Sequence, residues 1–190
     1  MLASLSSQSL KIGRKPTKFT NFFTENMDGV SLLLALETFK KRLINNRLEV
    51  QREEGYLSND VFSFGSPASE NELSKLPNHT PNEMIEFLKS HNGAEIFIHP
   101  EYGGGILFFS VDEILEYIDI WECPENCIPI GVGRDGEWII CEVDRTGENR
   151  IWVGESISFE DEYERLPMGF ADWFDYLLVA QGAHFWDWFR

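Results

Sequence analysis

The 190-residue chain carries 16 Lys and Arg against 32 Asp and Glu, and 43% of it is hydrophobic and 14% aromatic. That apolar content excludes a wholly disordered chain, and the shortage of clustered cations excludes a protein built to grip phosphate backbones or anionic membranes. The charge is also uneven: residues 1–50 sum to +4 and residues 51–190 to −20, a body that attracts basic partners and speeds encounter with them, beside its plainer value as a solubility surface.

In chain order, residues 1–20 are rich in Ser, Lys and Thr and read as a tail or lightly docked arm, with no apolar run long enough for a signal-peptide core. Apolar residues then recur at Val30, Leu33, Leu34, Leu36, Phe39, Leu43, Ile44 and Leu48. This spacing predicts an amphipathic helix of about five turns over Val30–Leu48, capped by Asp28, with its apolar face covered by the body or by a second copy. A polar stretch with a short apolar piece at Val61–Phe64 follows. Ser69 with Glu72 forms a capping-box pattern, and Thr80-Pro81-Asn82-Glu83 repeats it, so two helices are expected, the second ending at His91-Asn92-Gly93.

Strands are expected at Glu95–His99 and Gly105–Ser110, then a helix over Val111–Ile120. Three strands follow at Ile128–Gly131, Glu137–Val143 and Arg150–Glu155, joined by Gly- and Asp-bearing turns into an antiparallel meander. A last helix covers Phe170–Gln181. Beyond it, His184-Phe-Trp-Asp-Trp-Phe189 is read as an intramolecular lock on the N-terminal helix in preference to a self-association patch.

The motifs that resemble active sites fail on context. Gly131-Val-Gly-Arg-Asp-Gly136 matches G-x-G-x-x-G, but a dinucleotide loop needs a helix after it, and Glu137–Val143 reads as a strand. The glycines therefore serve a hairpin turn. Gly103-Gly104-Gly105 lacks the Lys and Ser/Thr of a phosphate loop. Cys123, Cys127 and Cys141 do not form the two close pairs of a structural zinc site and read as free thiols, and the four histidines are scattered. No nucleophile elbow is present, and a glycosidase-like carboxylate pair has nothing to single it out.

What remains is acidic surface. Glu155, Glu160, Asp161, Glu162 and Glu164 form the densest run, joined by Asp112, Glu113, Glu116 and Asp119 on the expected fourth helix. These nine are the candidate partner-binding residues, weighed against a solvated face with no specific role.

The order of pieces carries a resemblance. A helix ending in His91-Asn92-Gly93 comes first, then Leu107-Phe-Phe-Ser110 leading into a helix, then Ile128-Pro129-Ile130-Gly131 and the Gly136 turn. Trp138–Val143 ending in Asp144, Ile151-Trp152-Val153 and Phe170-Ala-Asp-Trp-Phe174 follow. Over about residues 61–181 this resembles the SUKH superfamily, which includes a fungal cell-wall-synthesis regulator and many bacterial immunity proteins, and Pro67–Glu72 looks like that family's opening helix. Two features depart from it: Thr80-Pro81 stands where a Leu-Pro is common, and the N-terminal helix and aromatic tail are additions. The resemblance implies an α+β fold, with a mixed, mainly antiparallel sheet packed against helices. It implies residues 1–60 as an N-terminal arm and helix and 61–190 as the SUKH-like domain. It also implies no catalysis and a protein that neutralises a cognate toxin with a basic surface, a nuclease for example, by direct binding, while the residues themselves predict no cofactor, no metal and a cytoplasmic location with reduced thiols. Nucleic acid and membrane are not expected as partners, and a homodimer is left open. The alternative is a non-catalytic scaffold or regulator unrelated to toxins.

Overall fold

The computed structural model describes residues 31–52, 55–121, 123–154 and 163–189, without the side chains of Trp121, Trp188 and Phe189. A helix, α1, covers residues 31–40. Strands β1 (Arg47–Gln51) and β2 (Leu57–Phe64) follow, then α2 (Glu70–Leu73), α3 (Asn82–Ser90), β3 (Ala94–Ile98), β4 (Ile106–Phe108) and α4 (Val111–Trp121). The chain continues through β5 (Cys127–Val132), β6 (Trp138–Val143), β7 (Asn149–Gly154), β8 (Tyr163–Arg165), α5 (Phe170–Val179) and a terminal 3-10 turn, Phe185–Phe189.

The sheet runs in sequence order from β1 to β8, every neighbouring pair antiparallel. The fold is α+β, as the sequence implied. A sheet ordered this way needs only hairpins and short helical connections, so each strand finds its partner nearby in the chain. The 131–136 glycine segment joins β5 to β6: Gly136 takes φ +88° and donates to the Gly133 carbonyl at 3.2 Å, a tight turn between antiparallel strands. The hairpin reading is therefore correct. α5 lies against β7 and α4 beside β5. Phe87, Phe108, Phe170 and Phe174 meet between α3, β4 and α5, with ring centroids 5.2–6.5 Å apart.

Three expectations need correction. The N-terminal helix does not reach Leu48. It stops at residue 40, Asn45 and Asn46 take left-handed φ of 53° and 57°, and Leu48 lies in β1 opposite Asp60 of β2. The apolar spacing continued past the helix because Leu48 and Val50 are the inward residues of a strand, and the two adjacent asparagines, which tolerate left-handed φ, form the tight turn between Ile44 and Arg47 that leads into it. Leu36 and Phe39 of α1 are buried as expected, and the Phe39 ring sits 5.5 Å from both Phe62 and Phe97, but Leu32 is buried as well, while Leu34 and Ile44 of the expected apolar face are exposed. Secondly, Thr80 does not cap α3. Pro81 holds the cap position, and the Thr80 hydroxyl donates instead to the Pro77 carbonyl at 2.8 Å. Thirdly, the aromatic tail docks within the chain as expected, and its ring contacts include α5: Trp186 stacks on Trp173 at 6.2 Å and Phe185 lies 5.6 Å from Tyr176.

One polar cluster lies inside. Arg52, just after β1, pairs with Asp60 of β2, whose other oxygen accepts the Ser58 hydroxyl at 2.5 Å. Both charged side chains are buried. Losing one partner strands the other charge and typically costs about 3–5 kcal/mol.

Candidate functional site

Two acidic regions were expected to bind a partner, and the structure treats their members differently. Asp112, Glu116 and Asp119 project from α4 into solvent. Glu113 does not share that face: its carboxylate accepts from the Ser110 amide at 2.8 Å and the Ser110 hydroxyl at 2.7 Å, while its own amide donates to Ser110 Oγ at 3.4 Å. It closes a capping box at the start of α4. The Ser110-x-x-Glu113 pattern is as plain in the sequence as Ser69-x-x-Glu72, which also forms its box. Glu164 sits half-buried in β8, opposite Val153. Glu155, Glu160, Asp161 and Glu162 lie outside the described residues.

A concavity lies elsewhere. A cleft of about 730 Å³ opens between α1, the start of α3, the β6–β7 turn and the start of α5. Four chain segments build it. The β6–β7 turn is held by Asp144, whose Oδ1 accepts from the Thr146 amide at 2.7 Å, the Thr146 hydroxyl at 2.6 Å and the Glu148 amide at 3.0 Å. The Thr146 hydroxyl bond, followed by these amides, keeps the Asp144 carboxyl below its ordinary range. The start of α5 has no side-chain cap of its own, because Gly169 precedes it. Asn149 of β7 reaches across, and its Oδ1 accepts from the Phe170 amide at 2.7 Å. A Cβ on residue 169 would stand 2.7 Å from that oxygen, so the reach requires glycine there.

Carboxylates dominate the cleft's charged lining. Glu83, Asp144, Glu148, Asp172 and Asp175 face Arg145 and Arg150. Two helix N-termini open on it, with Glu83 in the first turn of α3 and Asp172 in that of α5, where carboxylates are favoured by the helix dipole. Sequence reasoning missed this gathering because its carboxylates lie up to about ninety positions apart, in α3, the β6–β7 turn and α5. The one local signal was the Asp144 turn.

The remaining polar groups form structural locks. His184 Nε2 stands 2.9 Å from Glu137 Oε1, with Asp135 Oδ2 3.8 Å from the other ring nitrogen. The hydrogen bond to Glu137 raises the His184 pKa against the opposing effect of burial. Burial alone would raise the Glu137 carboxyl, yet its bond to His184 leaves it lowered. The three cysteines are free thiols, as read from the sequence; burial pushes Cys123 up to about 11 and Cys127 to about 12, so both stay protonated and unreactive near neutrality. Among the described residues no group of three or more His, Cys, Asp and Glu is arranged to hold a metal ion, and no helix is long and apolar enough to cross a membrane.

A family model described as SMI1 / KNR4 family (SUKH-1) matches residues 67–176. The chain belongs to this family. The SUKH-1 match takes in α2 through most of α5, and with them the cleft walls that carry Glu83, Asp144, Glu148, Asp172 and Asp175. The α1 wall, β1 and β2 precede it. Among relatives, the chain is similar to the uncharacterized protein YnaB of Bacillus subtilis (strain 168), 33% identical over 132 residues that cover 67% of this chain and 88% of YnaB. It is also similar to the uncharacterized protein YobM of the same organism, 29% identical over 184 residues that cover 89% of this chain and 93% of YobM. The YobM likeness therefore extends well beyond the SUKH-1 match.

Proposed function

We propose that this SUKH-1 protein is an immunity-type binding protein, which neutralises a cognate bacterial toxin with a basic surface by occupying that surface, and which performs no catalysis. Family membership supports the reading, since the family includes toxin-immunity proteins. The observation that carries it is charge: residues 51–190 hold −20, and a nuclease or other phosphate-binding toxin must present clustered Lys and Arg to work. A body of opposite sign meets such a cleft quickly and masks the groups it needs. The cytoplasm, where a producing cell must protect itself, is the proposed site of action.

Expression of this chain together with the toxin encoded beside its gene should restore growth to a toxin-arrested culture and yield a complex stable to gel filtration. Continued arrest with no complex would reject the pair. A pull-down rich in other proteins, from a gene with no toxin neighbour, would favour a scaffold or regulatory role instead.

A further inference from the structure

The acidic cleft does not end at its carboxylates. Ser31, Ala35 and Asp175 line both the cleft and a second groove of about 380 Å³, which runs between α1 and α5 along Leu34, Phe39, Leu178 and Val179. Leu34 and Val179, on facing helices, are 66% and 74% exposed. Large apolar side chains scattered singly over a surface need no explanation, but two that flank a groove form a patch. Asp172, Asp175 and Val179 follow at helical spacing on the solvent side of α5, so one strip of that helix passes from acidic to apolar. At the far end of the groove Arg42 replaces the carboxylates.

We infer that the α1–α5 groove and the adjoining cleft form one docking surface for a partner segment that is amphipathic and basic, its apolar side chain seated between Leu34 and Val179 and its Lys or Arg side chains over Asp172, Asp175 and Glu148. Charge complementarity selects this occupant. The cleft end carries five carboxylates against two arginines, one of which, Arg150, pairs with Glu148, so an excess of negative charge remains that an acidic segment would be repelled by and a neutral one would leave uncompensated. Arg42 at the other end sets the direction, with the occupant's cations over the cleft. The surface differs from the exposed side of α4, where Asp112, Glu116 and Asp119 offer charge without a described cavity. The toxin-neutralising reading supplies the identity of the partner, while the chemistry of the segment follows from the surface alone.

The full chain, labelled with 15N, would be titrated with a synthetic amphipathic helix of leucine and lysine and with its glutamate counterpart. Shifts from the lysine peptide are expected at Ala35, Asp172, Asp175 and Val179, with no response to the glutamate peptide. The variant Leu34→Gln/Val179→Gln, and separately Glu148→Gln/Asp172→Asn/Asp175→Asn, should each bind about tenfold more weakly, as the sum of several modest exposed contacts. All five side chains lie on the surface or its rim, and unchanged thermal unfolding would confirm the fold. The control Asp112→Asn/Glu116→Gln/Asp119→Asn should bind as the parent does. Shifts centred on α4, no binding, or equal affinity of the groove variants would overturn the inference. So would a peptide of residues 1–30 that shifts the same resonances more strongly than the lysine probe, or self-association through Leu34 and Val179 seen by ultracentrifugation, since each names a different occupant. Toxin rescue that survives both groove variants would reject this surface and leave the immunity reading intact. Peptide binding at the groove without toxin rescue would do the reverse.

Discussion

The imidazole of His184 faces Glu137, Asp135 and Asp187, and its bond to Glu137 ties the chain after α5 to the β5–β6 hairpin. His91 has the opposite surroundings. Its Nε2 accepts from Lys40 Nζ at 3.0 Å while Nδ1–H donates to the Gly65 carbonyl at 3.3 Å, which is the neutral tautomer, and burial followed by Lys40 holds its pKa down. Because the His184 pKa is raised above 6.5, its stabilisation is complete below that pH and is lost as pH rises through the folded value. For His91 the lowered value means stabilisation is complete above 6.5 and falls away as pH drops through the folded value. Replacing His184 by Asn should therefore flatten the decline in melting temperature on the alkaline side of 6.5, and replacing His91 by Asn should flatten the decline on the acid side. Melting curves from pH 5 to 9 would check both, and parallel curves for parent and variants would contradict them. Phe97 shows what residue-level pattern conceals: it is buried beside the buried Ile96 in β3, with φ +57°, where simple alternation would turn it outward. The register shift between β2 and β3 makes room for this, and the ring packs 4.9 Å from Phe62. Nothing in the local sequence marks such a bulge.

At the scale of elements, α1 and β1 behave as parts of the core. Leu32, Leu36, Phe39 and Val50 are buried, and β1 covers the edge of β2 through five register pairs. Burial of such side chains stabilises by roughly 1.5–3 kcal/mol each before the entropy of ordering them is counted. Deleting residues 1–50 should expose Phe62 and Phe97, free the edge of β2 and lead to aggregation, measurable by light scattering and by the loss of a cooperative thermal transition. A truncated chain that stays monomeric with an unchanged melting temperature would show these elements to be dispensable. The amphipathic spacing from Val30 located the helix but overran it, since Leu48 and Val50 are i, i+2 neighbours on a strand and Leu48 also satisfies a helical count. The Asn45-Asn46 pair marks the tight turn that separates the helix from β1. The β5–β7 meander was legible because its turns carry Gly133, Gly136 and Gly147 between apolar runs, and turn chemistry is local.

For the whole molecule, a net charge of −16 acts through solvent before any contact forms and is screened over about 8–10 Å at ordinary ionic strength. Association with a basic toxin should slow steeply as salt rises while dissociation changes little, and stopped-flow rates across a salt series would read this directly. Reversing Glu160, Asp161, Glu162 and Glu164 together to Lys should slow association further, since steering sums over many charges. A rate indifferent to salt and to this change would leave the charge as a solubility surface. By itself the sequence determined the capping box at Ser69, the Gly131–Gly136 hairpin, the antiparallel meander, the last helix from Phe170 and the acidity of the body. Each follows from periodicity, turn chemistry or a sum over residues, which need no knowledge of what lies across the fold. Only the tertiary structure decided that Glu113 is a cap rather than a free carboxylate, that Arg52 and Asp60 meet in the interior, and that Glu83, Glu148, Asp172 and Asp175 converge on one cleft beside Leu34 and Val179. Convergence of that kind is set by how the sheet places the ends of helices and turns remote in sequence, and distance along the chain carries no record of it.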